Sequence, residues 1–131
     1  MSDVPSRVLL IEDNSTQARA VQNCLSSEHD VALVTSIEDA GAQFDVPTFD
    51  LLIVDWGLPG QSGLGFVRDV KDDPDVQDLP VMMLTGEDRS EHVQRAVEAG
   101  VDDYVVKPIY CGTLREKVAS LIESPADPQD A

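Results

Sequence analysis

The feature that most constrains the fold is an alternation. Five short apolar runs, "RVLLI" (7–11), "VALVT" (31–35), "DLLIV" (50–54), "VMMLT" (81–85) and "DYVVK" (103–107), are separated by stretches with helical periodicity. The runs are continuous, which suits parallel strands buried on both faces. Asn14 is placed to cap a first helix with Ala18, Val21 and Leu25 inward, and Gln17 to close a capping box. Ile37, Ala40, Gly41 and Phe44 have the spacing of a short second helix, and Ser62 can cap a third that buries Leu64, Val67 and Val70. A fourth runs from about Arg89 to Ala99, with Val93, Ala96 and Val97 on one side and Gly100 as its stop. The fifth opens with the capping box Thr113–Glu116 and buries Leu114, Val118, Leu121 and Ile122.

Five βα units in 131 residues predict an α/β fold: a flavodoxin-like, doubly wound, five-stranded parallel sheet of order 2-1-3-4-5 with five helices. The expected organisation is an N-terminal tail over 1–6, one domain over 7–123, and a polar, Pro-containing tail or linker over 124–131. No apolar run approaches the roughly 18 residues of a membrane span. The N-terminus has no basic region before an apolar core, so the expected location is cytoplasmic. Cys24 and Cys111 lie far apart without metal-ligand spacing and read as inert core thiols rather than a disulfide. With 25 acidic against 9 basic residues the formal charge is −16, which repels nucleic acid and anionic lipid. It fits a module that meets cations or basic protein surfaces.

In such sheets, sites form outside the carboxyl ends of the strands. After the first run come Glu12 and Asp13, after the third Asp55, and the fourth and fifth end in Thr85 and Lys107. The proposed strand order makes these residues converge. Three neighbouring carboxylates repel one another unless a cation is present, and Mg²⁺ takes a few carboxylates plus waters and a phosphate oxygen. Lys107 adds a fixed charge for an anion and Thr85 a hydroxyl. Together they describe a phosphoryl-transfer site, with Asp55 central enough to be the nucleophile.

The motifs "LLIEDN", "LLIVDWGLPG", "MLTG" and "YVVKP" resemble the receiver domain of two-component response regulators, in its chemotaxis-regulator-like form, over roughly residues 7 to 123. That resemblance implies a module that accepts a phosphoryl group on Asp55 from a histidine kinase or phosphotransfer protein. It assigns Glu12, Asp13, Asp55 and the Gly57 backbone carbonyl to Mg²⁺, Glu12 acting through water. It pairs Lys107 with the acceptor, moves Thr85 to the phosphoryl oxygen, and turns Tyr104 inward behind it. The Lys107–Pro108 bond is usually cis in this family. A downstream protein or effector domain would read the face of the fourth helix, fifth strand and fifth helix. The protein would be no enzyme beyond its own phosphorylation and dephosphorylation. Gly57 and Glu87 occupy the two positions that tune acyl-phosphate lifetime. A pseudo-receiver working by constitutive protein contacts is the alternative, and the complete acid, threonine and lysine set argues against it. An aspartyl phosphatase of the haloacid dehalogenase kind would need a second acid where Gly57 stands.

Overall fold

The computed structural model describes residues 6–36, 49–55, 63–86 and 90–123. The strands are β1 (Ser6–Ile11), β2 (His29–Val34), β3 (Leu51–Asp55), β4 (Val81–Thr85) and β5 (Asp103–Val106). All pair in parallel in the order β2-β1-β3-β4-β5, as the alternation predicts. Ser6, expected in the tail, is the first residue of β1. Among the described residues the helices are α1 (Ser15–Leu25), α2 (Gly63–Asp72), α3 (Ser90–Ala99) and α4 (Cys111–Glu123), the last three matching the expected third, fourth and fifth. The expected second helix, Gly57, the Ser62 cap, Glu87 and the 124–131 tail lie outside the described residues.

Successive strand side chains point to opposite faces, and both faces are covered. Leu9, Ile11, Leu52, Val54, Val81 and Met83 pack against Val67 and Val70 of α2 and Ala96 and Ala99 of α3. Val8, Leu10, Leu51, Ile53, Met82 and Leu84 pack against Ala18, Val21 and Leu25 of α1 and Leu114 and Val118 of α4. Burial on both faces is why these strands read as unbroken apolar runs.

Helix ends depart from expectation in physically instructive ways. Asn14 caps α1 as expected, its Oδ1 accepting from Gln17 N at 3.0 Å. Gln17 does not close the box: Glu12 Oε2 accepts the Asn14 N–H at 3.3 Å, and Gln17 Oε1 is buried without a partner. α4 begins two residues before Thr113, because Leu114 N donates to Tyr110 O at 3.0 Å and closes the first turn earlier. Val97, expected inward, is 61 % exposed. A turn of about 100° per residue puts Ala96 and Ala99 on the sheet and carries Val97 out to solvent.

The stop of α3 is as expected, and its geometry is complete. Gly100 has φ +103°, its N–H donates to Val97 O at 3.0 Å, and Val101 N donates to Ala96 O at 3.1 Å. This is the paired-bond cap that favours glycine at the left-handed position. A Cβ at Gly100 would also meet Lys71 Cγ at 2.7 Å.

That lysine belongs to a network at the amino end of the sheet. Lys71 Nζ donates to Leu79 O at 3.0 Å, to Gln77 O at 3.4 Å and to Asp102 Oδ2 at 3.1 Å. Asp102 Oδ2 also accepts from Val81 N at 2.8 Å. The entry to β4 is thereby tied to α2 and to the approach to β5.

The cysteine expectation is corrected. Cys24 and Cys111 are joined in a disulfide, with Cα atoms 5.3 Å apart and a sequence separation of 87. α1 and α4 pack side by side on one face of the sheet, and this tertiary proximity is invisible in the spacing of two cysteines. The separation falls within the range that a disulfide requires. Closing a loop of 87 residues stabilises the folded chain by about 4 to 5 kcal/mol on a chain-entropy argument.

Candidate functional site

The ladder itself assembles the site. Ile11 pairs with Val54, and Glu12 N continues the strand by donating to Val34 O at 3.0 Å, so the next residues along, Glu12 and Asp55, stand abreast. Asp55 closes β3 and pairs with Leu84, one residue before Thr85. Thr85 pairs with Val106, and Lys107 N donates back to Thr85 O at 2.8 Å. Thus Glu12, Asp13, Asp55, Thr85 and Lys107 arrive at one carboxyl edge, as the sequence predicts. Gly57 lies outside the described residues.

Lys107 Nζ donates to Asp55 Oδ1 at 3.1 Å and stands 3.8 Å from Glu12 Oε1, too far for a hydrogen bond. The peptide bond between Lys107 and Pro108 is cis. Asp55 and Thr85 are each 6 % exposed, Glu12 is fully buried, and Asp13 is exposed. One oxygen from each of Glu12, Asp13 and Asp55 can be chosen so that all three lie within 4.8 Å of one another.

The electrostatics follow from that crowding. Burial, and then the neighbouring Asp55 carboxylate, push the Glu12 carboxyl up to about 7. The Lys107 charge and the Asn14 amide pull the other way without overcoming them. Glu12 Oε1 is buried with no hydrogen-bond partner. A buried carboxylate oxygen without a donor costs free energy, and a hard divalent cation answers it directly, because such ions take carboxylate oxygens from several side chains. The acid set therefore fits a divalent ion, with Lys107 at its border to meet an anion.

Tyr104 stands on β5, half-buried against the core between the sheet and α2–α3. Lys117 Nζ lies 5.8 Å from its ring centroid and bonds Asp103 Oδ1 at 2.8 Å. A groove of about 340 Å³ opens beside it, lined among others by Val106, Pro108, Tyr110 and Lys117.

The family of the response regulator receiver domain matches residues 8–119. The chain belongs to that family. It is 33 % identical over 122 residues to the chemotaxis protein CheY of Pseudomonas aeruginosa, covering 89 % of this chain and 96 % of that one. The high-resolution structure of chemotaxis response regulator CheY4 of Vibrio cholerae superposes with a TM-score of 0.81 at 26 % identity, over 90 % of this chain and 99 % of that one. The Mn²⁺-bound form of response regulator Rcp1 does so with a TM-score of 0.72 at 25 % identity, over 92 % and 93 %. This receiver domain therefore carries its acidic group at the edge where strand order alone would place a site. No helix among its described residues is long and apolar enough to cross a membrane.

Two features of consequence were not read from the sequence: the Cys24–Cys111 bond and the double duty of Glu12, which faces Lys107 with one oxygen and holds Asn14 with the other. The adjacency of an acid to a helix cap, "EDN", is the signal that could have shown the second.

Proposed function

We propose that this receiver domain is a phosphorylation-controlled switch whose acceptor is Asp55, loaded from the phosphohistidine of a histidine kinase or phosphotransfer protein. One observation carries the reading: buried Asp55 is held by Lys107 at 3.1 Å beside the buried Glu12 Oε1, which has no hydrogen-bond donor and stands 3.8 Å from the same ammonium. The Asp55 carboxylate attacks phosphorus, an acyl P–O bond forms, and the P–N bond to the partner's imidazole breaks. Lys107 holds the carboxylate before transfer and meets the phosphoryl oxygens after it. The Thr85 hydroxyl donates to the same group.

The described residues that would hold Mg²⁺ are Glu12, Asp13 and Asp55, to which the family resemblance adds the Gly57 carbonyl, and the Mn²⁺-bound form of Rcp1 supports a divalent ion. When bound, the ion neutralises charge shared between carboxylates and phosphoryl oxygens. The new group adds about −1.5 to −2 charge and three acceptor oxygens. Because Lys107 N is bonded to Thr85 O, a shift at either strand end reaches β5 and Tyr104. The output face is then that of α3, β5 and α4, where Tyr104 borders its groove. The chain turns over no separate substrate and acts only on its own acyl phosphate.

Incubation with acetyl phosphate and Mg²⁺ tests this. Wild type gains one phosphoryl mass and Asp55→Asn gains none. No gain in wild type, or an undiminished gain in the variant, rejects the assignment and favours a constitutive interaction module.

A further inference from the structure

Cys24 and Cys111 differ sharply in environment. Cys24, on the penultimate position of α1, is 8 % exposed and belongs to the core beneath that helix. Cys111, the first residue of α4, is exposed. Their Cα atoms, 5.3 Å apart, need no rearrangement for the sulfurs to bond or separate. The helices they join are also seated by contacts other than that bond. α1 is anchored by buried Ala18, Val21 and Leu25, and α4 by buried Leu114 and Val118. Arg115 Nε of α4 also meets Glu28 Oε1 of the turn after α1 at 3.4 Å, a surface pair that adds little by itself. An exposed cysteine beside a sheltered one, on a junction that buried apolar side chains also hold, is an arrangement suited to thiol–disulfide exchange.

We propose that Cys24 and Cys111 form a reversible thiol–disulfide exchange site, with Cys111 as the entering sulfur and Cys24 as the resolving one, serving low-molecular-weight disulfides and thiols. The Cys111 thiolate attacks one sulfur of the small disulfide; a protein–small-molecule S–S bond forms and one thiolate leaves. The Cys24 thiol gives its proton to water and attacks the Cys111 sulfur; the internal S–S bond forms and the second thiolate leaves. The protein loses two electrons and two protons, and the small disulfide becomes two thiols. Excess small thiol runs the sequence backwards. The oxidised form clamps α1 to α4, and the reduced form frees that junction while the sheet and both helices stay in place.

The test uses the full chain equilibrated in graded ratios of oxidised to reduced glutathione, acid-quenched, alkylated with N-ethylmaleimide and weighed intact. Reducing buffers give a protein with two alkyl groups and oxidising buffers one with none, while circular dichroism shows the same fold at both extremes. Thermal midpoint falls on reduction by an amount on the order of 10 °C. Cys24→Ser traps one glutathione as a mixed disulfide, and Cys111→Ser does so at least about tenfold more slowly. Wild type settles the matter if a variant fails to fold. Two thiols at every ratio, a disulfide that survives the most reducing buffer, or unfolding on reduction overturns the proposal, and so does equal trapping by the two variants.

Discussion

The two ends of the sheet each hold a lysine against an acid, and they do so to opposite effect. At the amino end Lys71 meets one carboxylate, of Asp102, and two backbone carbonyls, and Asp102 is further bonded by Val81 N. Charge and hydrogen bonds both close. At the carboxyl end Lys107 faces Asp55 and Glu12, with Asp13 in the same group, and Glu12 Oε1 is left without a donor. One cluster is complete as folded, so it works as a pin. The other gathers three carboxylates around one lysine, a charge arrangement that a divalent cation would answer.

The contrast is most strongly broken by removing each lysine in turn. Lys71→Met should lower stability by roughly 2 to 3 kcal/mol, because Asp102 and two carbonyls lose a charged donor, and millimolar Mg²⁺ should restore none of it. Lys107→Met should lower cation-free stability by a similar or smaller amount, and Mg²⁺ should recover most of that loss while still binding. Thermal melts of both variants with and without the ion decide. Equal rescue, or rescue of neither, would erase the distinction drawn between the two ends.

A second test sharpens the pin. Gly100→Ala forces a side chain into a left-handed conformation and against the Lys71 stem. It should cost about 1 to 2 kcal/mol from backbone strain alone. Denaturant midpoints measure it, and an unchanged midpoint would remove the glycine from the pin.

A third sharpens the site through pH. Glu12 is raised from 4.5 to about 7 in the folded protein. The folded state therefore binds the extra proton between those values, and the contribution is fully present below pH 4.5. It is lost as pH rises through about 7. Without a divalent ion, the Glu12 contribution to thermal stability should decline across that window and vanish in Glu12→Gln. With Mg²⁺ the decline should flatten or reverse, since the ion competes with the proton. The smallest effect belongs to neither end: Val97→Ala, on the exposed side of α3, should move stability by less than about 0.5 kcal/mol.

The carboxyl end was legible in the sequence and the amino end was not, for a physical reason. Strands buried on both faces announce themselves as apolar runs, and a parallel order delivers the residue after each run to a common edge. Glu12, Asp13, Asp55, Thr85 and Lys107 follow from that topology with no knowledge of contacts. Lys71 instead serves backbone carbonyls of the 77–79 segment, and such acceptors carry no side-chain signature. The same holds for the disulfide, whose partners meet only because α1 and α4 lie together on one face. Thr113 misplaced the start of α4 because a capping-box pattern competes with a turn that Tyr110 O already closes.

Glu12 spans the two kinds of behaviour in a single side chain. Its Oε2 fastens the amide of Asn14 at the threshold of α1, while its Oε1 faces the ammonium of Lys107. A carboxylate is one rigid plane, so whatever immobilises one oxygen also orients the other. Loading of the acidic edge and the firmness of the first helical turn thus share a rotor. The Asn14 amide, a backbone group with no part in the chemistry, becomes the natural resonance through which to watch that edge fill.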